Sequence, residues 1–120
     1  MPKTINLSTF INPTGKISVI EKKINFKIKR VYFIYDIKGD RGGHKHKKNT
    51  QFIICLKGSC DLLIKNKKKK INKVFKLRKP NKGIKLFPDD WHKMININKN
   101  TILLVLASEY YNKNDYLENE

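Results

Sequence analysis

All three histidines of this chain sit where they could do chemistry. His44 and His46 form His44-Lys45-His46, directly after Gly39-Asp40-Arg41-Gly42-Gly43, and His92 follows Trp91 after Pro88-Asp89-Asp90. On a strand, a spacing of two puts both side chains on one face. Two imidazoles on one face suit proton transfer near neutral pH, or metal binding. A plain pair of surface histidines is the structural alternative, and the glycine-rich turn before them speaks against it. Arginine is equally scarce: 24 of the 27 basic residues are Lys, and only Arg30, Arg41 and Arg78 are Arg. Arg30 and Arg41 look retained for a geometry that Lys cannot supply, such as a bidentate fork on a diphosphate. A surface ion pair is the alternative for both. Arg78 is read as surface. Tyr32 lies in an apolar run and offers a hydroxyl to a reacting carbonyl, or is a core tyrosine with its hydroxyl satisfied.

Strands must position these groups, because helical periodicity is scarce and short β-rich runs recur between turn signals. Expected strands are Ile17–Ile20, Ile28–Asp36, Gln51–Leu56, Cys60–Ile64, Val74–Leu77, Gly83–Phe87, Trp91–Ile95 and Thr101–Ala107. Expected breaks are Asn12–Gly15, Gly39–Gly43, Lys57–Ser59, Asn66–Lys70, Pro80–Gly83 and Asn98–Asn100, each rich in turn formers. Roughly eight strands in about a hundred residues imply an antiparallel sandwich or barrel. The acidic tail from Glu109 to Glu120 is expected as a short helix or a surface strap. Residues 1–120 are expected to form one domain, with no repeat and no linker.

The net charge of +17 raises a nucleic-acid binder as one reading. Lys, Asn and Ile together fill 53 positions, and all three have AT-rich codons, so a drift in composition explains the Lys excess without a ligand. No nucleic-acid partner is expected. Cys55 and Cys60 flank the Gly58-Ser59 turn and read as small buried thiols in a reducing cytoplasm. No signal-peptide pattern is seen at Met1–Phe10, and the longest apolar run, Ile102–Ala107, is too short to span a membrane.

The histidine spacing resembles the first cupin motif: Gly39, then His44 and His46, then Gln51 in the place of the motif's carboxylate, then Gly58. Pro88, His92 and Asn96 resemble the second. Three His ligands can hold zinc, but loss of the anionic ligand weakens the site, and the reading is metal-free, with no cofactor. A more specific resemblance rests on Ile28–Asp36, Arg41–Lys48, Cys55–Cys60, Pro80–Gly83, Trp91–Met94 and Val105–Tyr111. Taken in order, these resemble the sugar 3,4-ketoisomerases, the WxcM-like branch of the cupins, which act on dTDP-4-keto-6-deoxyglucose. The similarity runs from about Gly15 to Tyr116. One departure is Asn12-Pro13-Thr14-Gly15, where the family often has Asp-x-Arg-Gly, so any contact made by that Arg is in doubt.

The resemblance implies an all-β cupin jelly roll whose carbonyl moves from C4 to C3 through an enediol(ate), in bacterial deoxyaminosugar biosynthesis for surface glycans. It implies catalytic roles for His44, His46 and Tyr32. His46 is taken as base at C3 and acid at C4, and His44 as shuttle between O3 and O4, with the reverse order left open. It further implies substrate binding by Arg30, Arg41, His92 and Tyr110, with Tyr110 either stacked on the pyrimidine or packed at an edge. Trp91 covers the site or fills the core. His92, after the Trp, points to the galacto product. A homodimer with exchanged N-terminal strands is implied as well. Two alternatives stand beside this reading: a nucleotide-sugar 3,5-epimerase-type cupin, and a basic nucleic-acid or sugar-binding module without catalysis.

Overall fold

The computed structural model describes residues 1–120. Twelve strands and one short 3-10 turn make up the regular structure: β1 (Lys3–Asn6), β2 (Ser8–Asn12), β3 (Gly15–Val19), β4 (Arg30–Ile34), β5 (Arg41–His46), β6 (Gln51–Lys57), β7 (Cys60–Asn66), β8 (Ile71–Leu77), β9 (Lys82–Leu86), β10 (Trp91–Ile95), β11 (Ile102–Ala107) and β12 (Tyr116–Leu117). Two five-stranded antiparallel sheets, β1-β9-β6-β11-β4 and β12-β5-β10-β7-β8, form a jelly-roll sandwich. The β2–β3 hairpin pairs with neither sheet.

Alternation builds the core. Along β7 the buried residues are Cys60, Leu62, Ile64 and Asn66, with half-buried ones between them, the period of a strand with one inner face. Ile53, Cys55, Leu62, Ile64, Leu77, Ile84, Leu86, Met94, Leu103 and Val105 join from both sheets into one cluster. β6 is buried on both faces, because Phe52 and Ile54 turn outward and are covered by Leu7 and Ile24 of the N-terminal segment. The run of apolar residues that made β6 easy to expect is therefore two half-cores back to back.

Each expected strand is present, though several have different bounds. Ile28–Asp36 shrinks to β4, since Asp36 takes a left-handed turn (φ 51°). β1, β2 and β12 lie outside the expected strands: β1 and β2 are short and largely polar, and β12 is only two residues long. The expected break over Gly39–Gly43 is corrected in part: strand β5 begins at Arg41 and runs through both Gly42 and Gly43. The tail holds both a turn, Lys113–Asp115, and the strap strand β12, which pairs with β5.

Candidate active site

The glycines of β5 aim the histidines. Opposite residues of an antiparallel pair share a face. Arg41 lies opposite Met94, Gly42 opposite Lys93, and His44 opposite His92, so Gly43 is an extra residue at a bulge. A spacing of three would otherwise put Arg41 and His44 on opposite faces; the bulge returns both to the inner face. Gly42 (φ 93°) and Gly43 (φ 84°) take conformations that disfavour other residues. A Cβ on Gly42 would stand 3.0 Å from the His92 carbonyl oxygen.

The result is a cluster of three imidazoles. His44 lies edge-on to His46 (ring centroids 5.2 Å) and to His92 (5.0 Å), and one ring nitrogen of each lies within 4.8 Å of the others. His46 and His92 are buried and anchored from behind. His46 Nδ1 donates to Asp115 Oδ2 (3.2 Å), and His92 Nδ1 donates to the Asp90 carbonyl (3.0 Å). The His46 Nε2 is buried and has no partner. Burial pushes the His44 pKa down to about 4 and that of His92 to about 3. Burial also lowers His46, and the Asp115 carboxylate opposes that shift. All three are neutral at pH 7, hence ready to take a proton.

In front of the cluster lies a cavity of about 650 Å³. His44, His92, Arg30, Tyr32, Arg41 and Tyr116 are among its walls, and His46 is not. Gln51 Nε2 donates to the Tyr32 hydroxyl oxygen (3.1 Å), leaving the phenolic O–H free for another acceptor. Burial raises the Tyr32 pKa, so the group remains a donor. The Arg30 guanidinium lies over the Tyr32 ring (4.3 Å) and near Tyr111 (5.3 Å). Neither Arg30 nor Arg41 joins any of the molecule's six ion pairs, so both forks remain open to an anion. Arg78, by contrast, is committed to Asp61 and the Cys60 carbonyl.

The three imidazoles together could hold a metal ion, with their ligand atoms within 4.8 Å of one another. Gln51, in the place of the cupin carboxylate, donates its amide nitrogen to Tyr32 and keeps a buried Oε1 without a partner, while Asp115 binds His46 from behind. Three neutral imidazoles suit a borderline cation such as zinc, which would act there as a Lewis acid, and not a hard cation.

A family model described as "FdtA: WxcM-like, C-terminal" matches residues 1–120. The chain belongs to this FdtA family. A TDP-4-oxo-6-deoxy-alpha-D-glucose-3,4-oxoisomerase of Aneurinibacillus thermoaerophilus is 40% identical over 119 residues, covering 96% of this chain and 84% of the relative. A mutant of the 3,4-ketoisomerase QdtA from Thermoanaerobacterium thermosaccharolyticum, in complex with TDP-4-keto-6-deoxyglucose, superposes with a TM-score of 0.92. It is 35% identical, and the match covers 98% of this chain and 87% of that one. A dTDP-4-dehydrorhamnose 3,5-epimerase of Bacillus anthracis has a TM-score of 0.84 at 17% identity, covers 96% of this chain and 76% of its own, and shares the fold alone.

In this FdtA-family chain six of the seven residues singled out in the sequence converge: Arg30, Tyr32, Arg41, His44 and His92 on the cavity wall, His46 behind it. Tyr110 does not line the cavity. It is exposed beside Lys29 (5.8 Å), while its neighbour Tyr111 faces in. Trp91 serves the tail, donating its indole N–H to the Glu118 carbonyl (3.1 Å). Sequence reasoning missed Tyr111, Asp115 and Tyr116. The available signal was a tail carrying aromatic and acidic residues in an otherwise basic chain.

Proposed function

We propose that this chain converts TDP-4-keto-6-deoxyglucose into the TDP-linked 3-keto-6-deoxy sugar. It is an isomerase of the 3,4-ketoisomerase type. The observation that carries the reading is His44 on the cavity wall, backed by two anchored imidazoles, beside the free Tyr32 hydroxyl and two unpaired arginines.

The chemistry follows from position. The C3 proton is α to the C4 carbonyl and therefore acidic. His44, the neutral imidazole that reaches the cavity, takes it. The electron pair moves into a C3–C4 double bond, and the charge that develops on O4 meets the Tyr32 O–H. Tyr32 gives its proton to O4 and recovers one from O3. His44 then returns its proton to C4, and O3 becomes the carbonyl. C4 is reduced and C3 oxidised, with no outside reductant. Arg30 and Arg41 hold the diphosphate. These roles differ from those first read for the histidines: His44 takes the base role read for His46, and Tyr32 the shuttle role read for His44, because His46 lies behind His44 and off the cavity wall. His92 beside His44 supports delivery of the C4 proton to give the galacto product.

The second copy belongs to the same proposal. Phe10, Ile11 and Ile17 on the unpaired hairpin and Val31, Phe33 and Tyr35 at and just beyond the edge strand β4 are all exposed. A homodimer in which N-terminal strands pack on the partner would cover them. Buried free Cys55 and Cys60 fit a cytoplasmic setting, and no helix is long and apolar enough to cross a membrane.

The test is incubation of the chelator-treated protein with TDP-4-keto-6-deoxyglucose in deuterated buffer, followed by NMR. A 3-keto product carrying deuterium at C4 is expected, and the C4 coupling reads galacto or gluco. Exchange at C5 would move the chain to the epimerases, and no exchange at C3 or C4 would remove this substrate.

A further inference from the structure

We propose that Asp115 is a positioning residue for this reaction, holding His46 in the tautomer that carries its proton on Nδ1. The inference rests on the reading that His44 is the proton carrier, and it adds a requirement on the imidazole behind it.

Asp115 stands on the carboxy-terminal strap, 69 residues from His46 in sequence, yet its carboxylate meets three N–H groups. Oδ2 accepts from His46 Nδ1 (3.2 Å) and the Asn49 N–H (3.3 Å), and Oδ1 accepts from the Lys48 N–H (2.9 Å). The backbone is locked too: the Lys47 N–H donates to the Asp115 carbonyl (3.0 Å), and the Asp115 N–H to that of Asn112 (3.0 Å). β12 then pairs Tyr116 with His46. Held through both its carboxylate and its backbone, Asp115 has little freedom to turn away.

A carboxylate only accepts hydrogen bonds, so the ring nitrogen facing it must carry the proton. A neutral imidazole has one N–H, and His46 Nε2 is then a bare acceptor. That acceptor is buried and without a partner in the resting protein. An unsatisfied buried acceptor is costly unless a donor arrives during function. His44, edge-on at 5.2 Å between centroids, becomes a cation when it takes the C3 proton, and a bare acceptor beside its ring stabilises that charge. Asp115 and the Asp90 carbonyl therefore do the same work on two rings: each fixes Nδ1–H and leaves Nε2 ready for the transient imidazolium of His44.

Nitrogen-15 NMR of the imidazoles in the wild-type protein at pH 7.5 tests the tautomer without any turnover. His46 is expected as Nδ1–H. An Nε2–H signature would overturn the inference even if isomerisation is intact. The variants D115N and D115A then separate positioning from support. Asparagine can turn its NH2 to His46 and force the wrong tautomer, whereas alanine removes the hydrogen bonds and leaves the ring free to choose. D115N is expected to show Nε2–H at His46 and to lose on the order of 100-fold in kcat with little change in KM. D115A is expected to have the lower Tm but the smaller loss of kcat. If kcat instead follows Tm, with D115A the worse enzyme, Asp115 is only a brace for the strap and the inference fails.

Discussion

At the scale of single residues, burial sets the working range of His44. A free imidazole titrates near 6.5, but burial brings His44 to about 4 and His92 to about 3. His44 is thus an unprotonated base across the neutral range. The acid limb of kcat/KM is expected below pH 5, measured from initial rates after a pH jump; a limb at 6.5 would mean a solvated base. Stability responds in the same window with a definite sign. Between the unfolded value and the folded ones, the unfolded chain binds more protons, so stability falls as pH drops from about 6.5 toward 4. Thermal melts from pH 7.5 to 4.5 should show Tm decreasing through that range. Replacing His44 by Asn removes the base while keeping a polar group of similar reach. Deuterium exchange at C3 should fall by about 100-fold or more, with TDP affinity retained through Arg30 and Arg41. Equal loss of TDP binding would assign His44 to binding rather than to chemistry.

At the scale of elements, the bulge in β5 links backbone conformation to the placing of His44 beside His92. Gly42 combines a left-handed backbone with close approach to β10, its missing Cβ lying 3.0 Å from the His92 oxygen and 3.3 Å from Lys93 Cα. Gly42→Ala is expected to cost about 1–3 kcal/mol. That corresponds to roughly 5–15 °C in Tm for a domain of this size. It should also reduce kcat beyond what stability explains, because it pushes His44 and His92 apart. Gly39→Ala is the control: its φ is not left-handed and nothing lies within 4 Å of its added Cβ. Differential scanning fluorimetry with activity assays at 20 °C distinguishes the two variants. If Gly39→Ala and Gly42→Ala behave alike, the bulge is not what aims the histidines.

At the scale of the whole molecule, the sandwich leaves apolar residues of its outer face exposed. Lys ammonium groups lie over aromatic rings at several places, Lys65 over Trp91, Lys73 over Phe75 and Lys85 over Phe87. Part of the Lys excess thus covers aromatic faces through cation–π contacts. The edge strand β4 and the β2–β3 hairpin lack such cover at Val31 and Ile11. Sedimentation should give about twice the 14.1 kDa of one chain. A Val31→Glu, Ile11→Glu double variant should sediment as a folded monomer. Wild-type protein at the mass of one chain would remove the dimer.

The sequence by itself determined the strand-rich class, most strand positions and the chemistry-bearing types. Period-two alternation and scarcity are local properties: three His and three Arg in a Lys-rich chain stand out before any folding. Tertiary structure alone decided the rest. That Gly39–Gly43 ends in a bulged strand depends on the register of β10, which no local pattern encodes. Facing of Tyr111 rather than Tyr110 into the cavity depends on where the tail crosses β5. The place of Asp115 behind His46 joins residues far apart in the chain, and only the closed sandwich brings a tail carboxylate to that nitrogen.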